Sequence, residues 1–160
     1  MEPKRLNKKS PLSQGPLQFI KTAVLLFIIS MLSACNAEPQ PLEFGKDVCA
    51  FCQMTVIDKK FGAELVNSKG KTLKFDSEEC MLNYLRANKD FKPETYRVVN
   101  YENPGELIDA QKAFYLSGGN IKSPMGGKLA AFKSMESAKK FQEELKGDLL
   151  LWDKISALKL

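Results

Sequence analysis

The sequence predicts an α+β fold, in which two related ββα units form one small domain after a leader and a tether. The chain matches itself at a shift of 57 residues, which aligns Phe75 with Phe132 and Ser77 with Ser134. Each copy has two short strand-like runs followed by a stretch with the apolar periodicity of a helix. A chain of 160 residues is long enough to bury one core.

Residues 1–34 are typical of a bacterial lipoprotein signal peptide and are excluded from the fold. An apolar run of 11 residues, 22–32, follows five basic residues: Lys4, Arg5, Lys8, Lys9 and Lys21. This run is too short to span a bilayer, as expected for the core of a signal peptide.

Cys35 follows Leu32-Ser33-Ala34, which resembles the lipobox of a lipoprotein. We therefore expect Cys35 to be lipidated and to anchor the chain at the periplasmic side of a membrane. Either the inner or the outer membrane could carry this anchor. The polar segment that follows contains Pro39 and Pro41 and is typical of a tether. We assign residues 35–44 to the lipidated cysteine and tether, and residues 45–160 to the folded domain.

The first repeat unit covers about residues 47–90. Residues 63–67 and 72–75 are strand-like and are separated by the turn residues 68–70. A helix should follow, with Asp76 or Ser77 as its cap and with apolar positions at 81, 84 and 85.

The second repeat unit covers about residues 107–147. Strands are expected at 113–116 and 129–132, and a helix from Met135 to about Lys146, stopped by Gly147. Between the units, residues 97–101 are expected to form a strand that could join the two hairpins into one sheet. Residues 149–152 are expected to form either an edge strand or a packed plug.

The charge and composition exclude several classes of protein. The net charge of +5 falls to +1 from Cys35 onward, so the folded part has no basic surface that would favour nucleic acid. The sequence contains no histidine, which excludes imidazole ligands and most catalytic triads. No catalytic base is evident, and we do not expect an enzyme.

Sulfur-containing residues carry the chemistry. The motif Cys49-Ala-Phe-Cys52-Gln-Met54 offers two thiolates and a thioether, and in an extended chain the sulfurs of Cys52 and Met54 would point to the same side. Thiolate with thioether favours Cu(I), since zinc rarely accepts methionine. Cys80 is expected in the first turn of a helix, where the thiol pKa is lowered, and could complete the site if this helix start packs against the Cys49–Cys52 turn. Met125 lies in a Pro- and Gly-containing turn, where core packing explains it less well.

Two alternatives to copper remain open. After lipidation of Cys35, the cysteines Cys49, Cys52 and Cys80 are an odd number in an oxidising compartment. Cys49 and Cys52 could act as a thiol–disulfide oxidoreductase, although a hairpin, rather than the helix of a thioredoxin-like fold, is expected to follow them. Cys49, Cys52 and Cys80 could also hold a structural zinc ion.

With these residues the chain resembles the NosL family, the nitrous-oxide-reductase accessory lipoproteins. The resemblance rests on four features: the lipobox at Cys35, residues 47–54, Phe75-Asp76 with Cys80-Met81, and Pro124-Met125-Gly126 with Phe132. It implies a lipid-anchored periplasmic copper chaperone of two ββα units that binds Cu(I) and helps to supply nitrous oxide reductase. The implied ligands are Cys52 and Met54, with Cys49, Cys80 and Met125 as further candidates, and Gln53 stands where the family's motif usually has Gly.

Overall fold

The computed structural model of the chain describes residues 40–158. The predicted signal peptide, residues 1–34, and the predicted lipidation site, Cys35, lie outside the described residues. The described part contains seven strands and three helices: β1 Ala63–Asn67, β2 Thr72–Phe75, α1 Glu78–Ala87, β3 Pro93–Val99, β4 Leu107–Asp109, β5 Phe114–Ser117, β6 Leu129–Phe132, α2 Met135–Leu145, β7 Asp148–Leu151 and α3 Trp152–Ala157. Among these residues, no helix is both long enough and apolar enough to cross a membrane.

The first unit is an antiparallel sheet with the strand order β2-β1-β3-β4, and α1 follows β2. The turn between β1 and β2 forms because the Asn67 side chain accepts hydrogen bonds from the backbone N–H groups of Lys69 and Lys71, both at 3.0 Å. Ser77 caps α1 by accepting a hydrogen bond from the Cys80 N–H at 3.3 Å. The predicted bounds of both strands are confirmed, and of the two candidate caps Ser77 is the one used.

The second unit is a three-stranded antiparallel sheet with the order β6-β5-β7, and α2 follows β6. Ser134 caps α2 through a hydrogen bond from the Ser137 N–H at 3.1 Å, as Ser77 does for α1. Phe75 and Phe132 both end their strands and are fully buried. The equivalence that the 57-residue repeat predicted is therefore confirmed, and so is the plan of two ββα units.

Two local predictions need correction. The strand predicted at 113–116 begins one residue later, and α2 ends with Lys146, not Gly147, in the left-handed conformation (φ 56°). The residue after the cap is glycine for a different reason: a Cβ there would lie 3.2 Å from the Leu116 Cβ, so the close approach to β5 needs its absence.

The strand between the units is longer than predicted and belongs to the first sheet. β3 pairs with β1 and β4, and its only pairing with the second sheet is a single parallel bridge between Asn100 and Ala131 among the described residues. The chain turns away directly after Asn100, which prevents further pairing. The C-terminal segment is an edge strand, β7, followed by the short helix α3, whose Ile155 is fully buried.

The two units share one apolar core. Its main cluster includes Leu65 and Phe75 from the first unit and Tyr115 and Leu129 from the second. Burial of such side chains contributes about 1.5–3 kcal/mol each. The Tyr115 hydroxyl, which burial would otherwise leave without a partner, donates a 2.7 Å hydrogen bond to the Ala110 carbonyl.

A buried ion pair crosses the first sheet. Glu64 on β1 lies opposite Arg97 on β3, and their side chains form a salt bridge although Glu64 is fully buried. Burial raises the pKa of Glu64 from its ordinary value, and the Arg97 charge opposes this rise.

We expect Glu64→Gln to make stability less dependent on pH. Because the folded-state pKa of Glu64 lies above the unfolded value, the folded chain binds this proton more tightly. Its contribution to the free energy of unfolding therefore falls as the pH rises from roughly pH 4 through the folded-state pKa. In urea unfolding, the stability of wild type minus that of the variant should decline with rising pH. The exposed Glu94 on the same sheet gives the control Glu94→Gln, and a difference that rises with pH would contradict the assignment.

Candidate metal centre

Cys49 and Cys52 lie on a tight hairpin, residues 48–55, which we call the cysteine hairpin. Val48 and Thr55 form an antiparallel bridge at its base, and the Cys49 N–H donates to the Met54 carbonyl at 2.8 Å. The Gln53 N–H donates to the Cys49 carbonyl at 3.1 Å, which closes the turn. This arrangement holds both cysteine backbones in place before any metal binds.

The chain is not extended from Cys52 to Met54. Gln53 between them has φ 64°, a left-handed conformation that bends the chain and that glycine adopts most easily. The periodicity of a strand therefore cannot be used to place the two sulfurs together.

The start of α1 packs against the cysteine hairpin, which is the condition for Cys80 to join the site. The Ala50 N–H donates to the Lys74 carbonyl on β2 at 2.8 Å, and β2 leads directly to the cap of α1. As a result, donor atoms of Cys49, Cys52, Asp76 and Cys80 all lie within 4.8 Å of one another. Three of these residues are buried and Cys52 is half-buried.

Asp76 is the member of this cluster that sequence reasoning missed as a ligand. We considered it a candidate helix cap, but Ser77 caps the helix and leaves the Asp76 carboxylate free to turn towards the sulfurs. Its Oδ2 accepts a hydrogen bond from the Cys52 Sγ at 3.5 Å, and its buried Oδ1 has no partner among the described residues. A buried carboxylate oxygen without a partner is costly unless a proton or a cation occupies it.

The three thiols differ in acidity. A hydrogen bond from Cys80, helped by backbone hydrogen bonds, lowers the pKa of Cys49 to about 6, although burial opposes this. The lowered thiol pKa that we expected for Cys80 at the start of a helix is wrong, because the interaction with Cys49 and burial raise the pKa of Cys80. Burial also raises the pKa of Cys52. A metal that binds all three sulfurs displaces the protons that the thiols still carry.

The predicted methionine ligands lie at the surface beside this cluster. Met54 is 50% exposed and lines a surface pocket of about 280 Å³ together with Asp76 and Pro124. Met125 follows Pro124 in a turn closed by a 3.0 Å hydrogen bond from the Gly126 N–H to the Ser123 carbonyl, and it is 43% exposed. The structure thus brings the three cysteines together. Met54 and Asp76 line the same surface pocket, and Met125 directly follows Pro124, which also lines it.

A second buried carboxylate fixes the Met125 loop to α1. Glu79 accepts a hydrogen bond from the Leu129 N–H at 3.0 Å, and its side chain lies directly over Gly127. A Cβ at Gly127 would lie 2.4 Å from the Glu79 Cγ, which is far too close. Glycine at this position therefore lets the second unit approach the helix that carries Cys80.

Gly127→Ala should lower the free energy of unfolding by about 1–3 kcal/mol. The new methyl group displaces Glu79, which leaves the buried Leu129 N–H without its partner, and an unpaired buried donor costs this amount. Thermal unfolding can measure the change. If the cause is displacement of Glu79, adding Gly127→Ala to a Glu79→Ala chain should cost much less than it costs in the wild type, and equal costs would contradict this cause.

The donor set suits a soft or borderline metal ion. Three thiolates match Cu(I), and three thiolates with a carboxylate oxygen also match the tetrahedral coordination of zinc. Since one cysteine and one methionine are reachable from solvent, a metal can enter and leave without opening the core.

The chain resembles known proteins in sequence and in fold. The family model NosL matches residues 41–159. A solved structure, described as the crystal structure of the copper chaperone NosL from Shewanella denitrificans, superposes with a TM-score of 0.64 and 19% sequence identity, covering 76% of this chain and 99% of that chain. No curated protein matches the chain. Since the family model matches nearly the whole described domain, the chain belongs to the NosL family.

Proposed function

We propose that this protein is a copper chaperone that binds Cu(I) through cysteine and methionine sulfur and passes it to a copper-accepting enzyme. One observation carries the proposal: three cysteine sulfurs and a carboxylate oxygen lie within 4.8 Å of one another at the edge of the core. Membership of the NosL family supports it, as does the fold shared with a protein described as a copper chaperone.

The graded burial of the sulfurs suits transfer of a metal to another protein. Cys49 and Cys80 are fully buried, Cys52 is half-buried and Met54 is half-exposed. An acceptor can therefore replace the outer ligands first and the inner ligands last, so that the copper ion is never released into solution. The chain catalyses no reaction in this proposal, since its task is to hold and exchange the ion.

The remaining parts of the proposal concern location and client. Lipidation of Cys35 would anchor the protein at the periplasmic side of a membrane. The family resemblance indicates nitrous oxide reductase as the acceptor. Met54 and Met125 are proposed to supply thioethers at the open side of the site.

A structural zinc site is the second candidate, because Asp76 adds an oxygen donor to the three cysteines. Thiol–disulfide exchange is less favoured. Cys49 and Cys52 lie in a hairpin turn, whereas redox-active pairs of this spacing gain their reactivity from the start of a helix.

An anaerobic competition titration of the reduced chain against a colorimetric Cu(I) chelator tests the proposal. We expect tight binding of one Cu(I), weakened by Cys52→Ser and to a smaller degree by Met54→Leu. Met135→Leu is the matched control, because Met135 is also surface-exposed but lies at the start of α2. Failure to compete for Cu(I), with zinc bound instead and no effect of Met54→Leu, would favour the structural zinc site.

A further inference from the structure

The cysteine hairpin carries an unusual amount of exposed apolar surface. Four large apolar side chains between positions 48 and 57 are at least 40% exposed, with Ile57 at 72%. We call them the apolar patch: Val48, Phe51, Met54 and Ile57. Large exposed apolar side chains concentrated in one short segment are typical of a surface that contacts a partner or a membrane.

The chain enters the folded domain beside this patch. The Pro41 carbonyl accepts a 2.9 Å hydrogen bond from the Lys74 Nζ, which also forms an ion pair with Asp47. Leu42 is buried against Val56 directly after the cysteine hairpin. The backbone carbonyl of Lys74 accepts a hydrogen bond from Ala50 of the cysteine hairpin, and the Lys74 side chain reaches Pro41. The length of the Lys74 side chain therefore separates the point of entry from the hairpin.

The segment between the folded domain and the candidate anchor, Cys35, is short. Gln40, the first described residue, lies five positions after Cys35, and five residue steps can span at most about 18 Å. A compact domain of this length has a diameter on the order of 35 Å. An anchor at Cys35 therefore keeps the side of the domain that carries the cysteine hairpin next to the bilayer.

The charges near the patch do not favour attraction to anionic lipid. Between positions 41 and 60 three acidic residues balance three basic ones, Glu43 is paired with Lys46, and Asp47 is paired with Lys74. Contact with a membrane would therefore come from the apolar side chains, which insert at the boundary between headgroups and acyl chains.

We propose that the apolar patch rests in the membrane interface, so that the metal site opens towards the bilayer. This inference rests on the proposed lipid anchor, and it goes further by naming the lipid interface as the surface that covers the patch. In this orientation Met54 lies in the interface with the rest of the patch, and a partner that is itself held at the membrane, rather than one in the open periplasm, reaches the half-exposed Cys52. Copper exchange then takes place at the membrane.

Photolabelling from within the bilayer tests the inference. The mature lipidated chain is reconstituted into vesicles of zwitterionic lipid that contain a lipid with a diazirine near the top of its acyl chain. After irradiation, trypsin releases residues 47–59, which contain the apolar patch, and residues 147–154, which contain the 52% exposed Leu151 on β7. We expect severalfold more label on residues 47–59, little changed by high salt, and less label in Phe51→Ser and Ile57→Ser chains.

Label that is equal on the two peptides, or that lies mainly elsewhere on a lipidated chain, would overturn the inference and leave the copper chaperone proposal standing. A mature chain whose intact mass shows no lipid would instead overturn the anchor and this inference together. Neither Phe51→Ser nor Ile57→Ser should alter the Cu(I) competition titration, because neither residue offers a ligand. A change there would mean that the patch acts on the metal site and not on the membrane.

Discussion

Cys80→Ala is expected to lower the affinity for Cu(I) by more than about 100-fold, because substituting even a residue that only orients a metal ligand typically costs 10- to 100-fold. Cys80 is fully buried, and its Sγ lies within 4.8 Å of the donor atoms of Cys49, Cys52 and Asp76. Its loss therefore removes one ligand from the site. The anaerobic competition titration measures the change.

The control for this variant is Met81→Leu. Met81 is the next residue on α1 and is equally buried, but it packs in the core. It should keep its copper affinity, and circular dichroism should show that both variants remain folded. A folded Cys80→Ala chain with wild-type affinity would remove Cys80 from the site.

Phe132→Ala is expected to lower the free energy of unfolding by about 3–5 kcal/mol, the usual cost of truncating a buried phenylalanine. Phe132 is fully buried at the end of β6, and its ring centre lies 5.5 Å from that of Tyr101 and 5.4 Å from that of Phe141. These rings join the second sheet to α2 and to the turn after β3. The loss would be measured by urea unfolding.

Phe51→Ala is the comparison for this prediction, because Phe51 is 40% exposed and should cost much less. The remaining folded fraction of the Phe132→Ala chain should still bind Cu(I), since Phe132 lies in a different core cluster from the cysteines. A stability loss below that of Phe51→Ala would mean that the second core cluster can repack around the cavity.

The elements that the sequence predicted well are those set by local chemistry. The bounds of β1 and β2 are correct because alternating apolar residues and the turn residue Asn67 specify a hairpin within a dozen residues. The two serine caps appear in the repeat for the same reason. The extent of β3 was predicted less well, since it depends on pairing with the distant strands β1 and β4.

The site was predicted in composition but not in geometry. The three cysteines could meet only if the start of α1 packed against the cysteine hairpin, and the structure shows this packing. The role of Asp76 depended on which of two neighbouring residues caps α1, and only the structure decides this. The bend at Gln53 arises from hydrogen bonds that close the cysteine hairpin, and apolar periodicity does not report such a turn.

The X-ray absorption spectrum of the Cu(I)-loaded chain at the copper edge tests the central claim most directly, with every methionine replaced by selenomethionine. Sulfur neighbours then come from cysteine alone and selenium neighbours from methionine alone. The copper chaperone account predicts a first shell of sulfur with selenium neighbours that decrease in Met54→Leu and disappear when Met125 is replaced as well. A first shell of oxygen or nitrogen without sulfur would contradict it.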